Sequence, residues 1–381
     1  MFEPQSKLPH VGTTIITVIT QRARELGAIN LSQGFPDYDP PERLRALLAQ
    51  AAGDGLHQYA HMAGVEALRE QIVLLAATHG VRADVNEEIT VTLGASESVF
   101  SSIAALVHAG DEVIVFDPAF DIYGPAIELC GARAVHLPLL PPSFGIDWQR
   151  VKDAISPRTR LIIINSPHNP TGAVLSRADM DTLAEVIRNT RIMVLSDEVY
   201  ANMLYDGGRH HSAQAHPELR ERSISVFSFG KMLHATGWRV GYAIAPPPIT
   251  REIRKVHQFN TFSIAYPLQW AIAEFLKACP EHRAELAGFY QVKRDKFLGL
   301  LRNSRFTWTP SPGSFFQLLE YSGITDQSDT EFAERVLREH GVASIPLSPF
   351  CERPIDYRYL RFCFAKRDET LVKAAELLCK I

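Results

Sequence analysis

From Ile89 onward the chain alternates short β-branched runs with longer stretches of helical period. The runs are Ile89-Thr90-Val91-Thr92, Glu112-Val113-Ile114-Val115-Phe116, Leu161-Ile162-Ile163-Ile164, Ile192-Met193-Val194-Leu195 and Ile224-Ser225-Val226-Phe227. Half-exposed antiparallel strands alternate apolar with polar positions. These runs are too continuous for that, so they read as strands buried on both faces of a mostly parallel sheet. Amphipathic stretches lie between them, one over Arg177–Arg188 and one opening at Ala95-Ser96-Glu97. Strand–helix–strand alternation predicts a layered α/β sheet.

The flanks differ. The first 36 residues mix Pro, Gly and Thr around Ser32-Gln33-Gly34-Phe35-Pro36-Asp37 and read as an arm or irregular segment. Leu44, Leu47 and Leu48 share a face, which predicts a helix from about Pro41 to Ala52. After Pro246-Pro247-Pro248 the pattern is helical to about Leu301. Beyond it, expected strands over 314–319 and 359–364 and helices over 330–340 and 369–380 describe a smaller α+β domain. No repeat, low-complexity tract or flexible linker interrupts the chain.

With 381 residues, 46% hydrophobic and 22% charged, the chain can build a large core, as two or three domains or one large α/β domain plus a smaller one. A net charge of -4 gives no footprint for nucleic acid or an anionic membrane. The five cysteines include no CxxC pair, which argues against a zinc site or a disulfide framework and for reduced thiols in a cytoplasmic protein. The opening Met1-Phe2-Glu3-Pro4-Gln5 lacks the basic start and apolar run of a signal peptide. No apolar stretch reaches the roughly 18–20 residues of a membrane helix.

In an open parallel sheet, ligands bind at the carboxyl ends of the strands. Four such loops carry unusual polar residues. Gly94-Ala95-Ser96-Glu97 opens a helix, where free amides and the helix dipole favour a phosphate. Ser196-Asp197-Glu198-Val199-Tyr200 puts a carboxylate at a buried strand end, which is costly unless a cation such as a protonated pyridine nitrogen meets it. Asn165-Ser166-Pro167-His168-Asn169-Pro170-Thr171-Gly172 is a rigid turn aiming the Asn169 amide at the site. Ser228-Phe229-Gly230-Lys231 continues to Thr236-Gly237-Trp238-Arg239-Val240-Gly241-Tyr242. Burial there would lower the Lys231 amine's pKa and make it nucleophilic toward carbonyls, while Ser228 and Arg239 offer phosphate donors. Singly, these also read as a plain helix start, a capping Asp, a structural turn and a surface lysine. Together they suit one cofactor. Downstream, Arg361 in Tyr359-Leu360-Arg361-Phe362-Cys363-Phe364 is either a carboxylate clamp or an edge-strand arginine facing solvent.

These blocks, in this order and spacing, resemble the signatures of the fold-type I (class I/II) pyridoxal 5'-phosphate-dependent aminotransferases over nearly the whole chain. Gln5-Ser6-Lys7-Leu8-Pro9, Asn30-Leu31-Ser32-Gln33-Gly34-Phe35-Pro36-Asp37, Arg254-Lys255-Val256-His257-Gln258 and Ile345-Pro346-Leu347-Ser348 are most similar to the bacterial methionine group, with the kynurenine/glutamine transaminases next. The resemblance implies a large domain with a mostly parallel seven-stranded sheet between helices and a smaller α+β domain. It divides the chain into an N-terminal arm that also forms part of the small domain (1–36), a large cofactor-binding domain (37–276) and a C-terminal small domain (277–381). It implies a homodimer with shared sites and a ping-pong aldimine/ketimine mechanism on a large apolar or aromatic amino acid.

Roles follow by resemblance. Lys231 would hold the cofactor as a Schiff base and shuttle the proton. Asp197 would pair with the pyridine nitrogen, Asn169 and Tyr200 would hold the phenolate oxygen, and Phe120 would stack on the ring. Ala95, Ser96, Ser228 and Arg239 would bind the phosphate, with Tyr59 reaching the neighbouring subunit's phosphate. Arg361 and Asn169 would clamp the substrate carboxylate near Gly34. Arg239 stands where several relatives have Lys, and either cation suits a phosphate. A carbon–sulfur β-lyase of the same fold remains the nearest alternative, since the same carbanion can eliminate a thiolate. A non-catalytic use of the fold would predict erosion of a residue set that is here intact.

Overall fold

The computed structural model describes residues 5–353 and 355–381. Met1–Pro4, most of the segment weighed as a signal peptide, lie outside the described residues. The strands in chain order are β1 Ile29–Asn30, β2 Ile89–Thr92, β3 Glu112–Asp117, β4 Arg133–Pro138, β5 Thr159–Asn165, β6 Met193–Asp197, β7 Ser223–Ser228, β8 Gly241–Ile244, β9 Phe316–Glu320, β10 Val342–Ala343, β11 Ile345–Pro346 and β12 Tyr359–Cys363. Seven form one sheet in the order β2-β8-β7-β6-β5-β3-β4. Pairs β3–β4, β3–β5, β5–β6 and β6–β7 are parallel, while β8 runs against β2 and β7.

The five expected runs are β2, β3, β5, β6 and β7 of this sheet, and their continuity has a visible cause. Val113, Val115, Leu161, Ile163 and Leu195 enter a core shared with the helices Gly94–Leu106 and Pro247–Asn260. The alternate residues Ile114, Ile162, Ile164 and Val194 enter a second core with the helix Arg177–Ile187. A strand covered on both faces needs apolar residues at every position. Strands β4 and β8 were not foreseen. The edge strand β4 is only partly buried and carries Arg133, His136 and Pro138, while β8 is four residues opening on glycine.

The expected helix near 41–52 is Glu42–Gly53, and the helical region after Pro248 resolves into Pro247–Asn260, Tyr266–Ala278 and Glu281–Leu300. Towards the C-terminus, β11-β12-β9 form an antiparallel sheet beside the helices Asp329–His340 and Asp368–Leu378. Ser328 and Glu331 close a capping box on the first of these helices.

The N-terminal segment corrects the expectation of irregular structure. Ile15–Glu25 is a helix capped by Thr14, and β1 then pairs in parallel with β10. Eight consecutive residues from Thr13 to Thr20 are Thr, Ile or Val, which lowers local helix propensity. Packing outweighs propensity: Ile19 and Ala23, with Ile15 and Ile16 at their margin, enter a core with Leu337, Ala343, Ile345 and Phe350. Among the described residues no helix is long and apolar enough to cross a membrane.

Candidate active site

A cavity of roughly 370 Å³ opens where β2, β7, β6, β5 and β3 end. Its walls bring together Gly34, Ala95, Ser96, Phe120, Asn169, Asp197, Tyr200, Ser228, Lys231, Arg239 and Arg361. Of the expected site residues only Tyr59 is elsewhere. It is 82% exposed, its ring edge-on to Phe262 at 5.2 Å.

One end of the cavity has the chemistry of an anion receptor. No side chain caps the helix Gly94–Leu106, so its first amides remain available. Gly94 has φ +71°, which favours glycine, and a Cβ there would lie 2.8 Å from Arg239 Nη2 and displace that guanidinium. A Cβ on Gly241 would lie 2.6 Å from the Ala95 nitrogen, which fixes how closely β8 approaches the loop. Arg239 is itself left-handed (φ 54°); it donates to Ser96 Oγ at 3.3 Å and to the Thr236 carbonyl at 3.2 Å. A non-glycine residue held this way at a site is a strained conformation that the surroundings impose.

At the other end, Asp197 closes β6. Tyr123 donates to its Oδ2 at 2.7 Å, and the Val199 amide approaches Oδ1 at 3.4 Å. Asn165 ties the adjacent strand ends by donating to the Asp197 carbonyl at 2.8 Å and accepting from the Asn169 amide at 2.8 Å. Burial pushes the Asp197 carboxyl up to about 6, against the Tyr123 hydrogen bond, which lowers it. A buried carboxylate so poorly supplied with donors is suited to a cationic N–H opposite it.

Lys231 lies between these ends, in the short helix Phe229–Met232. Its Nζ donates to the Gly34 carbonyl at 3.0 Å and sits 5.1 Å from the Phe315 ring centre. Desolvation lowers its pKa to about 8. In cofactor-free protein the Lys231 amine should therefore react with a small electrophile with a half-maximal rate near pH 8. Peptide mapping of the modified lysine measures this. A profile still rising through about pH 10, the ordinary lysine value, would show that burial does not act on it.

Arg361 sits on β12, opposite Leu318 of β9 and Ile345 of β11, and is 1% exposed. Nη1 donates to Asn169 Oδ1 at 2.7 Å and Nη2 to the Ser32 carbonyl at 2.5 Å, while Nε is buried without a partner. The guanidinium lies 4.0 Å from the Phe316 ring centre. No carboxylate of the described residues pairs with it. Burial lowers its pKa to about 10, which still leaves it charged at neutral pH. An arginine buried in this way, rather than facing solvent, is chemically suited to receive a carboxylate from outside.

Several residues at the site were not foreseen. Tyr123, which donates to Asp197 from behind the cavity wall, opens the helix Tyr123–Leu129 three residues after Phe120. Asn165 was within a quoted block but had no role assigned. Gln33, Phe35 and Thr236 likewise stand in motif segments that gave them no role, and Phe316 has no local signature.

Residues 27–378 match the family of aminotransferases class I and II, and the chain belongs to that family of pyridoxal-phosphate-dependent enzymes. Methionine aminotransferase of Escherichia coli K12 is 48% identical over 98% of this chain and 97% of its own length. An E. coli structure whose description identifies a methionine aminotransferase function superposes with a TM-score of 0.98 over the whole of both chains. N-succinyldiaminopimelate aminotransferase of Mycobacterium tuberculosis is similar at 34% identity, with a TM-score of 0.95 over 99% of this chain and 100% of the other. Mouse kynurenine–oxoglutarate transaminase 3 is 31% identical over 99% of this chain and 90% of its own.

Proposed function

We propose that this chain moves the α-amino group of methionine, or of another large apolar or aromatic amino acid, to a 2-oxo acid in two half-reactions. The observation that carries the reading is the buried Arg361, without a carboxylate partner among the described residues, in one cavity with Lys231 and Asp197. The 48% identity to a methionine aminotransferase favours that substrate class.

The residues fit the cofactor. Asp197 would hold the ring nitrogen, Tyr200 and the Asn169 Nδ2 the phenolate oxygen, and Phe120 a ring face. Ala95, Ser96, Ser228 and Arg239 would hold the phosphate. When bound, the cofactor supplies an aldehyde and a conjugated ring that accepts the electron pair left when the α-proton departs. Arg361 takes the substrate carboxylate as two parallel hydrogen bonds and fixes the α-carbon's orientation. Lys231 Nζ, with its lowered pKa, takes the α-proton and gives it back during the exchange of amino for oxo group. Phe35, Phe316 and Ile16 add apolar wall and exclude water from the substrate's side chain.

The second subunit enters through Tyr59. Its exposure, beside a surface groove that also contains Tyr266 and Pro267, suits a residue that completes a neighbouring copy's phosphate site in a cytoplasmic homodimer. A panel of amino donors with two or three oxo acids tests the substrate reading. Methionine and aromatic amino acids should give the highest kcat/KM. Aspartate as best donor, with methionine inert, would overturn it.

A further inference from the structure

Behind the anion receptor lies a buried polar pair to which the roles above assign nothing. Glu97, in the first turn of the helix Gly94–Leu106, and His257, near the end of the helix Pro247–Asn260, are 7% and 0% exposed. His257 Nδ1 and Glu97 Oε1 are 2.6 Å apart. His257 Nε2 lies 2.9 Å from the Met62 carbonyl. A carbonyl only accepts, so Nε2 carries a proton and donates. The remaining Glu97 oxygen accepts from the Leu93 amide at 2.5 Å. Leu93 is the residue just before Gly94, where the backbone turns into the anion receptor.

His257 also acts through its backbone. Its carbonyl accepts from the amides of Thr261 and Phe262, each at 2.9 Å, which ends the helix and places Phe262. Phe262 is the ring that packs against Tyr59. Met62 lies three residues beyond Tyr59, and the next residue, Ala63, accepts from the Val91 amide of β2 at 3.0 Å. One histidine thus reaches, through Glu97, the turn before Ala95 and, through its Nε2 and its backbone carbonyl, the segments that carry and pack against Tyr59.

We propose that Glu97 and His257 are positioning residues for the cofactor's phosphate. They hold the Leu93–Ser96 turn in its anion-binding shape and tie it to the Tyr59 segment, so that the receptor a subunit keeps and the tyrosine it presents outward are set by one buried contact. This rests on the cofactor reading above. Neither side chain lines the cavity, so both act through the turn.

The test uses the dimeric full-length protein stripped of cofactor. The dissociation constants of pyridoxal 5'-phosphate and of pyridoxal, which lacks the phosphate, are measured by absorbance for wild type, Glu97→Ala, Glu97→Gln and His257→Asn. Loss of a charge-assisted hydrogen bond corresponds to about a tenfold change. Glu97→Ala and His257→Asn should each weaken pyridoxal 5'-phosphate by about tenfold while changing pyridoxal little. Glu97→Gln should restore most of the affinity, because its carbonyl can accept from Leu93 and its amide can donate to Nδ1. Equal losses for both ligands, or none for either, would overturn the proposal. Should Glu97→Ala not fold, His257→Asn alone decides by the same ratio. A wild type that binds pyridoxal as tightly as its phosphate ester would instead overturn the underlying phosphate assignment.

Discussion

Replacing Lys231 by alanine is expected to lower steady-state turnover by about 10^4-fold or more, because on the proposed roles one amine would serve as both the carbonyl-reactive group and the proton carrier. The environment in the structure is what makes this lysine special. Its Nζ has an aromatic neighbour, one backbone carbonyl and no paired carboxylate, and desolvation lowers its pKa to about 8. Borohydride reduction of the loaded wild-type protein provides a chemical counterpart, since it should fix the cofactor to Lys231 and to no other lysine. Label on a different peptide, or full turnover in the alanine variant, would remove Lys231 from the centre of the reaction.

The second large effect is expected at Asp197. Asparagine has the same shape but cannot neutralise a protonated ring nitrogen. Breaking a buried charge pair typically costs about 3–5 kcal/mol, so Asp197→Asn should lower kcat/KM by roughly a hundred- to five-thousand-fold. Stability should move the other way. In the cofactor-free protein, burial raises the Asp197 carboxyl to about 6, above its ordinary unfolded value of about 3.9. A raised carboxyl contributes stability that is fully present below the unfolded value and lost as pH rises through the folded one. The wild type therefore loses roughly 2–3 kcal/mol between about pH 4 and pH 7 through this group. Thermal melts of cofactor-free wild type and Asp197→Asn across that range should converge at the acid end, with the variant melting higher at neutral pH. Parallel curves would show that the carboxyl is not destabilised by burial.

Much of this architecture is legible in the sequence because burial on both faces leaves a plain mark. Leu161-Ile162-Ile163-Ile164 feeds two cores at once, so each of its residues is apolar. The mark is lost at the partly exposed edge strand β4, where Arg133 and Pro138 stand at the ends, though the other edge strand, β2, is fully buried and keeps it. The N-terminal helix was hidden for a different reason. Its β-branched residues lower helix propensity, and the partners that stabilise it, such as Leu337 and Phe350, are more than three hundred residues away. At the site, Lys231, Asp197, Asn169 and Arg239 stand in short blocks whose chemistry is local. Arg361 could be read either way until its burial and its bond to Asn169 were known. The apolar wall from Phe35 and Phe316, and the Tyr123 donor behind Asp197, depend on tertiary placement and leave no comparable sequence pattern.

The Arg361–Asn169 hydrogen bond joins residues 192 positions apart, and β12 brings its guanidinium in from the three-stranded sheet. During synthesis, the residues assigned to the cofactor, from Ala95 to Arg239, leave the ribosome well before Arg361 does. On the proposed roles, a nascent chain would contain the parts of a vitamin-binding surface before the means to grip an amino acid, and the stretch that carries Arg361 would add recognition of substrate to a frame built to hold the cofactor.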